Sequence, residues 1–131
     1  MDHTTNSKLH RLGDLQLGIM KILWSRGEAT VGEVHKGLVN GQNLAYTTVA
    51  TMLRKMEARG LVRHRLEARS FVYRPAVAED SVSRGMADHL VDRLFEGSLA
   101  DMVRHLLSTR EVSREELAEI EKLVAERRRT R

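Results

Sequence analysis

Apolar residues recur along this chain in helical steps, with one interruption. Leu15, Ile19, Ile22 and Leu23 form a stripe that Met20 and Trp24 widen. Asp14 is placed to cap a helix starting at Leu15, and Gly27 to stop it. Gly18 weakens that helix by about 1 kcal/mol relative to Ala, so tertiary packing must hold it. Thr30-Val31-Gly32-Glu33 reads as a capping box for a second helix reaching about Val39, with Val31, Val34 and Leu38 on its inner side. Asn40-Gly41-Gln42-Asn43 is a turn-rich connector. Tyr46 to Arg59 is a third helix, with Val49, Met52, Leu53 and Met56 as its core stripe and Gly60 as its end. The interruption comes next. Leu61 to Leu66 and Phe71 to Tyr73 favour strand, and Glu67, Ala68, Arg69 and Ser70 join them as a hairpin loop. Pro75 closes the second strand, where a missing N–H matters little.

The helical period then returns. From Glu79 to Glu96 the apolar residues cover about half the helix circumference, wider than one packing partner needs. Gly97 breaks this helix and Ser98 starts another, lined by Leu99, Met102, Val103, Leu106 and Leu107. Ser113-Arg114-Glu115-Glu116 is a second capping box, followed by a narrower stripe through Leu117, Ile120, Leu123 and Val124. Three helices over about fifty residues make a poor independent domain. Their surplus apolar surface is best buried against a second copy of the chain. The expected dimer interface is Val82, Met86, Leu90, Leu94, Phe95, Leu99, Met102, Val103, Leu106, Leu117, Ile120 and Val124. Packing of these helices onto the front half of the same chain is the alternative.

The outer face of the third helix changes the picture from fold to function. Thr47, Thr48, Thr51, Arg54, Lys55 and Ala58 lie opposite its core stripe. A solvated helix face normally mixes charge signs. This one has short hydroxyls, then cations, and no acid. A helix in a DNA major groove needs that combination, with small hydrogen-bonding groups at the bases and cations at the phosphates. Three short helices followed at once by a basic hairpin have the plan of a winged helix-turn-helix. The wing carries Arg63, Arg65, Arg69 and Arg74. The bland reading of each feature is a solvated basic helix and a plain surface hairpin.

Charge supports this division of the chain. The net charge of the 131 residues is +4. Residues 1–78 carry 12 Lys and Arg against 6 acids, whereas residues 79–131 carry 10 against 12. A basic front half joined to an acidic-leaning back half suits a nucleic-acid reader with an appended unit. Four of the ten rear cations sit in the terminal RRRTR, an additional non-specific DNA contact or a solvated tail. Residues 1–12 form an expected mobile arm, residues 13–78 the reader and residues 79–131 the dimerisation region. The fold class is mainly α with a small β hairpin.

Other chemistry finds little footing. There is no cysteine, hence no disulfide framework or thiolate metal site. No apolar run approaches the roughly 18 residues that span a bilayer, and the first residues lack a signal-peptide core, so a cytoplasmic protein is expected. Phosphate-binding glycine loops, nucleophile elbows and paired-histidine zinc motifs are missing from the sequence. No enzyme activity, cofactor or metal is expected; a metal between His89 and His105 is the weaker alternative.

The stretches LGDLQLGIMKILWSRG, TVGEVHKGL and LAYTTVATMLRKMEARGLVRHRLEARSFVYRP resemble the winged-helix domain of the penicillinase-repressor family, the BlaI/MecI type. The resemblance rests on Met20 with Leu23-Trp24, on Tyr46-Thr47-Thr48-Val49 with Thr51, and on Gly60-Leu61-Val62. It implies a homodimeric transcriptional repressor on an inverted-repeat operator. The helix at Tyr46 is then the recognition helix, and Thr48 and Thr51 its hydroxyl positions. Many members have Arg-Leu where this chain has Lys55-Met56, and lysine cannot make a planar bidentate contact. Some members are inactivated by cleavage of an Asn-Phe bond; the corresponding place here reads His105-Leu106.

The expected function is therefore a homodimeric, sequence-specific repressor on a palindromic double-stranded operator. Thr47, Thr48, Thr51, Arg54 and Lys55 face the major groove, and Arg63, Arg65 and Arg69 the phosphates. An upstream sensor protein would be a further partner of unknown identity; no membrane insertion is expected. A small-molecule-responsive winged-helix regulator and a winged helix used only for protein–protein contact are the rival readings.

Overall fold

The computed structural model describes residues 12–38 and 44–130. The expected arm up to residue 11, the connector Asn40 to Asn43 with Val39 before it, and Arg131 lie outside the described residues. The chain divides into two compact units between His89 and Leu90.

The first unit begins with α1 (Asp14–Arg26). Its N-cap is Gly13 rather than Asp14, because the Gln16 side chain reaches back to accept the Gly13 N–H at 3.0 Å. Asp14 sits instead in the first turn, where a carboxylate favours the helix dipole. Ile19, Met20 and Leu23 are fully buried. Gly27, at φ +88°, ends the helix with its N–H on the Leu23 carbonyl.

Two residues, β1 (Ala29–Thr30), then lead into α2 (Val31–Gly37). The capping box forms as expected: Glu33 N–H donates to Thr30 Oγ1 at 3.1 Å, and Thr30 N–H to Glu33 Oε1 at 2.9 Å. The helix stops at Gly37, short of Val39. Leu38 turns extended, yet its side chain still packs on the core.

The recognition helix candidate is α3 (Tyr46–Ala58), held by the fully buried Val49, Leu53 and Met56. Gly60, at φ +83°, releases the chain into β2 (Val62–Glu67) and β3 (Ser70–Pro75). The hairpin differs from the expected four-residue loop. Glu67 pairs with Ser70, leaving a two-residue turn at Ala68 (φ 49°) and Arg69 (φ 69°). Positive φ at both positions marks a type I′ turn, whose twist matches that of the flanking strands. A third strand was not foreseen: β1 pairs antiparallel with β3, Ala29 with Tyr73 and Thr30 with Val72, in the order β1-β3-β2.

The core of this unit extends past the wing. Trp24 Nε1–H donates to the Val77 carbonyl at 2.9 Å, 53 residues away. Val82, in the second turn of α4 (Glu79–Phe95), is 1% exposed and belongs to the same core, with Met86 packed against it.

The second unit holds the end of α4, then α5 (Leu99–Thr109) and α6 (Arg114–Arg129). Glu96 (φ 51°) and Gly97 (φ 85°) make the break between the first two. Ser98 caps α5 through the Asp101 N–H, and Ser113 caps α6 through the Glu116 N–H, each at 3.0 Å. No residue of α5 or α6 is buried.

Replacing Ala68-Arg69 with Asn-Gly should relieve the left-handed strain at the wing tip. The expected gain is about 1 kcal/mol, read as a higher thermal midpoint. A lower midpoint would mean that the present side chains, not the backbone, hold the turn.

Candidate nucleic-acid interface

Burial of Val49, Leu53 and Met56 fixes which side of α3 faces out. Tyr46, Thr47, Thr48, Arg54 and Lys55 are exposed, and Thr51 is half-buried. Thr47, Thr48, Thr51 and Lys55 line one shallow cleft of about 280 Å3 together with Met52. Met52 was expected in the core stripe. It is only partly buried, and Gln16 of α1 donates to its sulfur at 3.4 Å. It therefore lies at the edge between core and outer face.

The start of α3 is held by a residue that the sequence left without a role. His35 on α2 approaches the Leu44 carbonyl through Nε2 at 2.7 Å. A carbonyl only accepts, so this nitrogen carries the proton. The same ring meets Tyr46 edge-on at 6.1 Å. One imidazole thus fastens the second helix to the entry of the third. Only the fold brings these positions together.

The wing sorts its arginines. Arg65 donates to both Glu28 oxygens, at 2.7 and 3.1 Å, and to Glu67 at 2.6 Å. The hydrogen bond from Arg65 holds the Glu28 carboxyl below its ordinary value of 4.5, and the two acids keep the guanidinium above its own. Its charge is already matched. Between Arg63 and Arg65, His64 points the other way, as strand alternation requires. It donates from Nδ1 to Glu57 of α3 at 2.7 Å and stacks on Phe71 at 4.2 Å. Arg63 and Arg65 therefore share the sheet face turned away from α3. Arg69, at the turn, lines a second cleft of about 430 Å3 beside α3, opposite Arg54. Tyr73 lines that cleft too, and burial, then the nearby Glu57, pushes its phenol above the usual range. The eight expected DNA-facing residues thus fall into three groups: four around Met52, two across the second cleft, and Arg63 with Arg65 behind the wing.

The expected interface between copies also divides. Val82 and Met86 pack within the first unit, so Val82 is closed to a second chain; its apolar character serves the winged-helix core. The others lie in the second unit. Leu90, Leu94, Leu99, Val103, Leu106, Leu117 and Val124 are exposed; Phe95, Met102 and Ile120 are half-buried. Leu107 and Leu123 are exposed beside them. Leu99, Val103 and Leu107 line an apolar groove of about 660 Å3 along α5.

A family model described as Penicillinase repressor matches residues 12–126. The chain belongs to the penicillinase repressor family. The Penicillinase repressor of Bacillus licheniformis is 29% identical over 119 residues, which is 91% of this chain and 93% of that protein. The Transcriptional regulator BlaI of Mycobacterium tuberculosis is 38% identical over 103 residues, 77% of this chain and 75% of its own. A solution structure of the DNA-binding domain of the repressor BlaI covers 56% of this chain and 89% of that chain at 30% identity, with a TM-score of 0.49. Membership makes this chain a DNA-binding transcriptional regulator and not an enzyme. Among the described residues no helix is long and apolar enough to cross a membrane, and no cluster of three or more side chains could hold a metal.

The ion-paired wing arginine should contribute little to counterion release. Arg69→Asn is expected to flatten the slope of log K against log salt by about 0.9, while Arg65→Ala leaves it unchanged. Fluorescence anisotropy across a salt series reads both. Equal flattening by the two variants would mean that Arg65 leaves Glu28 to reach a phosphate.

Proposed function

We propose that this regulator represses as a homodimer, each copy laying α3 in the major groove of one half of a palindromic operator. The observation that carries the reading is the outer face of α3. It presents Thr47, Thr48, Thr51 and Lys55 side by side, and its rotation is fixed by three fully buried side chains. Hydroxyls of this length reach base edges, and Lys55 supplies a point charge for a phosphate or for a guanine edge.

Pairing of the chain is supported by the second unit. An isolated helical unit with no buried residue has nothing to offset the entropy of ordering it. Its apolar groove along α5 is the natural seat for a second copy, which would bury Leu99, Val103 and Leu107 from both sides. A two-fold pair then reads two half-sites and gains specificity without a larger reader.

Selection of bound fragments from random DNA should return a palindrome with half-site centres about 10 bp apart, or a multiple of that. Thr51→Ala should reduce discrimination between that site and a single-base variant by about 1 kcal/mol, leaving the affinity for unrelated DNA unchanged. Val103→Glu combined with Leu107→Glu should sediment as a monomer and lose full-site affinity more than half-site affinity. An asymmetric selected site, or a wild-type chain that sediments as a monomer at micromolar concentration, overturns the reading.

A further inference from the structure

We propose that the cleft between α3 and the β2–β3 hairpin holds one backbone phosphate of the operator, gripped by Arg54 from the helix and Arg69 from the wing tip. The inference rests on the operator reading above and assigns Arg54 away from the bases. Arg54 does not line the cleft shared by Thr47, Thr48, Thr51 and Lys55; it lines the other one, with Arg69. Among the described residues neither guanidinium is paired with a carboxylate, in contrast to Arg65. No acid lines the cleft, and the nearby carboxylate, Glu57, is engaged by His64, so the two cations favour an anion that enters between them.

The chemistry of the cleft selects the anion. Guanidinium forks match the paired oxygens of a carboxylate or a phosphate in a bidentate way, and a duplex laid along α3 offers phosphate. Two of the lining rings are exposed: Tyr46 is 52% and Phe71 41% exposed. They offer apolar surface where the sugars on either side of the phosphate would rest. The Ser70 hydroxyl adds a neutral donor. The cleft opens between the two elements that approach a duplex, so a strand lying along α3 passes through it. Arg54 also donates to Thr51 Oγ1 at 3.3 Å. A phosphate that fixes Arg54 therefore fixes the orientation of a hydroxyl aimed at the bases. Backbone and base contacts are coupled through one hydrogen bond.

The test uses the full chain and the selected operator, synthesised with single neutral methylphosphonate linkages along each strand. Wild type should lose about tenfold in affinity at one linkage per half-site. Arg54→Gln and Arg69→Asn should each bind the unmodified duplex more weakly and lose sensitivity to that same linkage. Asparagine is chosen because it tolerates the left-handed turn at φ 69°. Arg54→Lys, which keeps the charge, should keep the sensitivity. Thermal midpoints matching wild type confirm that the variants fold. If the two variants lose sensitivity at different linkages, or at none, the grip is wrong while the operator reading stands. If wild type shows no preference for the selected duplex, both fall.

Discussion

Three side chains with no solvent exposure, Val49, Leu53 and Met56, set the rotation of α3, and the remaining features of the reader follow from that rotation. They pack with Ile19, Met20 and Leu23 of α1 and with Val34 of α2. Burying each contributes about 1.5–3 kcal/mol relative to exposure. A single charge-assisted contact on the outer face contributes no more than one such burial. Rotating α3 to improve an outer contact would expose the inner three, so the core decides and the outer face inherits its orientation. Thr47, Thr48 and Lys55 can remain unpaired on the surface because the helix does not need them for its own stability.

The wing is held by a similar separation of roles. Trp24 ties α1 to the chain beyond β3, His64 ties β2 to α3 through Glu57, and Arg65 ties β2 to Glu28 before β1. Each joins two different elements through a polar side chain, across 53 residues for Trp24, 37 for Arg65 and seven for His64. Arg65 and Arg69 sit on the same hairpin and carry the same charge, but their uses differ. A bidentate partner such as Glu28 satisfies the fork of the first. The second stands at a turn beside another arginine. Proximity of acid, not residue type, separates an arginine that braces the protein from one open to an anion.

Periodicity and punctuation made much of this legible. The apolar steps of α1 and α3, the Thr30–Glu33 box and the glycine stops at Gly27 and Gly60 are local signals, and each formed at its place. What escaped was non-local or too short. Two residues cannot show alternation, so β1 was invisible until Val72 and Tyr73 came alongside. Ala68-Arg69 lacks the Asn-Gly signature of a type I′ turn, and the register of the strands imposed the turn anyway. Val82 continues the same helical stripe as Leu90 and Leu94, and a stripe does not say which partner covers it. Here the winged-helix core covers Val82 and leaves Leu90 and Leu94 exposed. For the candidate interface, outward residues of α3 could be read from the wheel, whereas the pairing of Arg65 with Glu28 required the sheet.

Burial is distributed unevenly along the chain. Among the described residues every buried apolar side chain lies at or before Val82, while nine of the twelve exposed large ones lie from Leu90 onward. The first unit therefore closes its own core, and the second cannot. Helices capped at Ser98 and Ser113 have well-formed ends yet lack the buried face from which most helical stability in proteins comes. Under the proposed pairing, ordering of this unit and association of two chains become one event, so its stability depends on concentration. At low occupancy, half-site binding would then rise in proportion to the chain available, and full-site occupancy with its square. Under that pairing, sequence-specific repression by so small a reader would depend on this second-order step, and the exposed leucines of the rear helices would supply it.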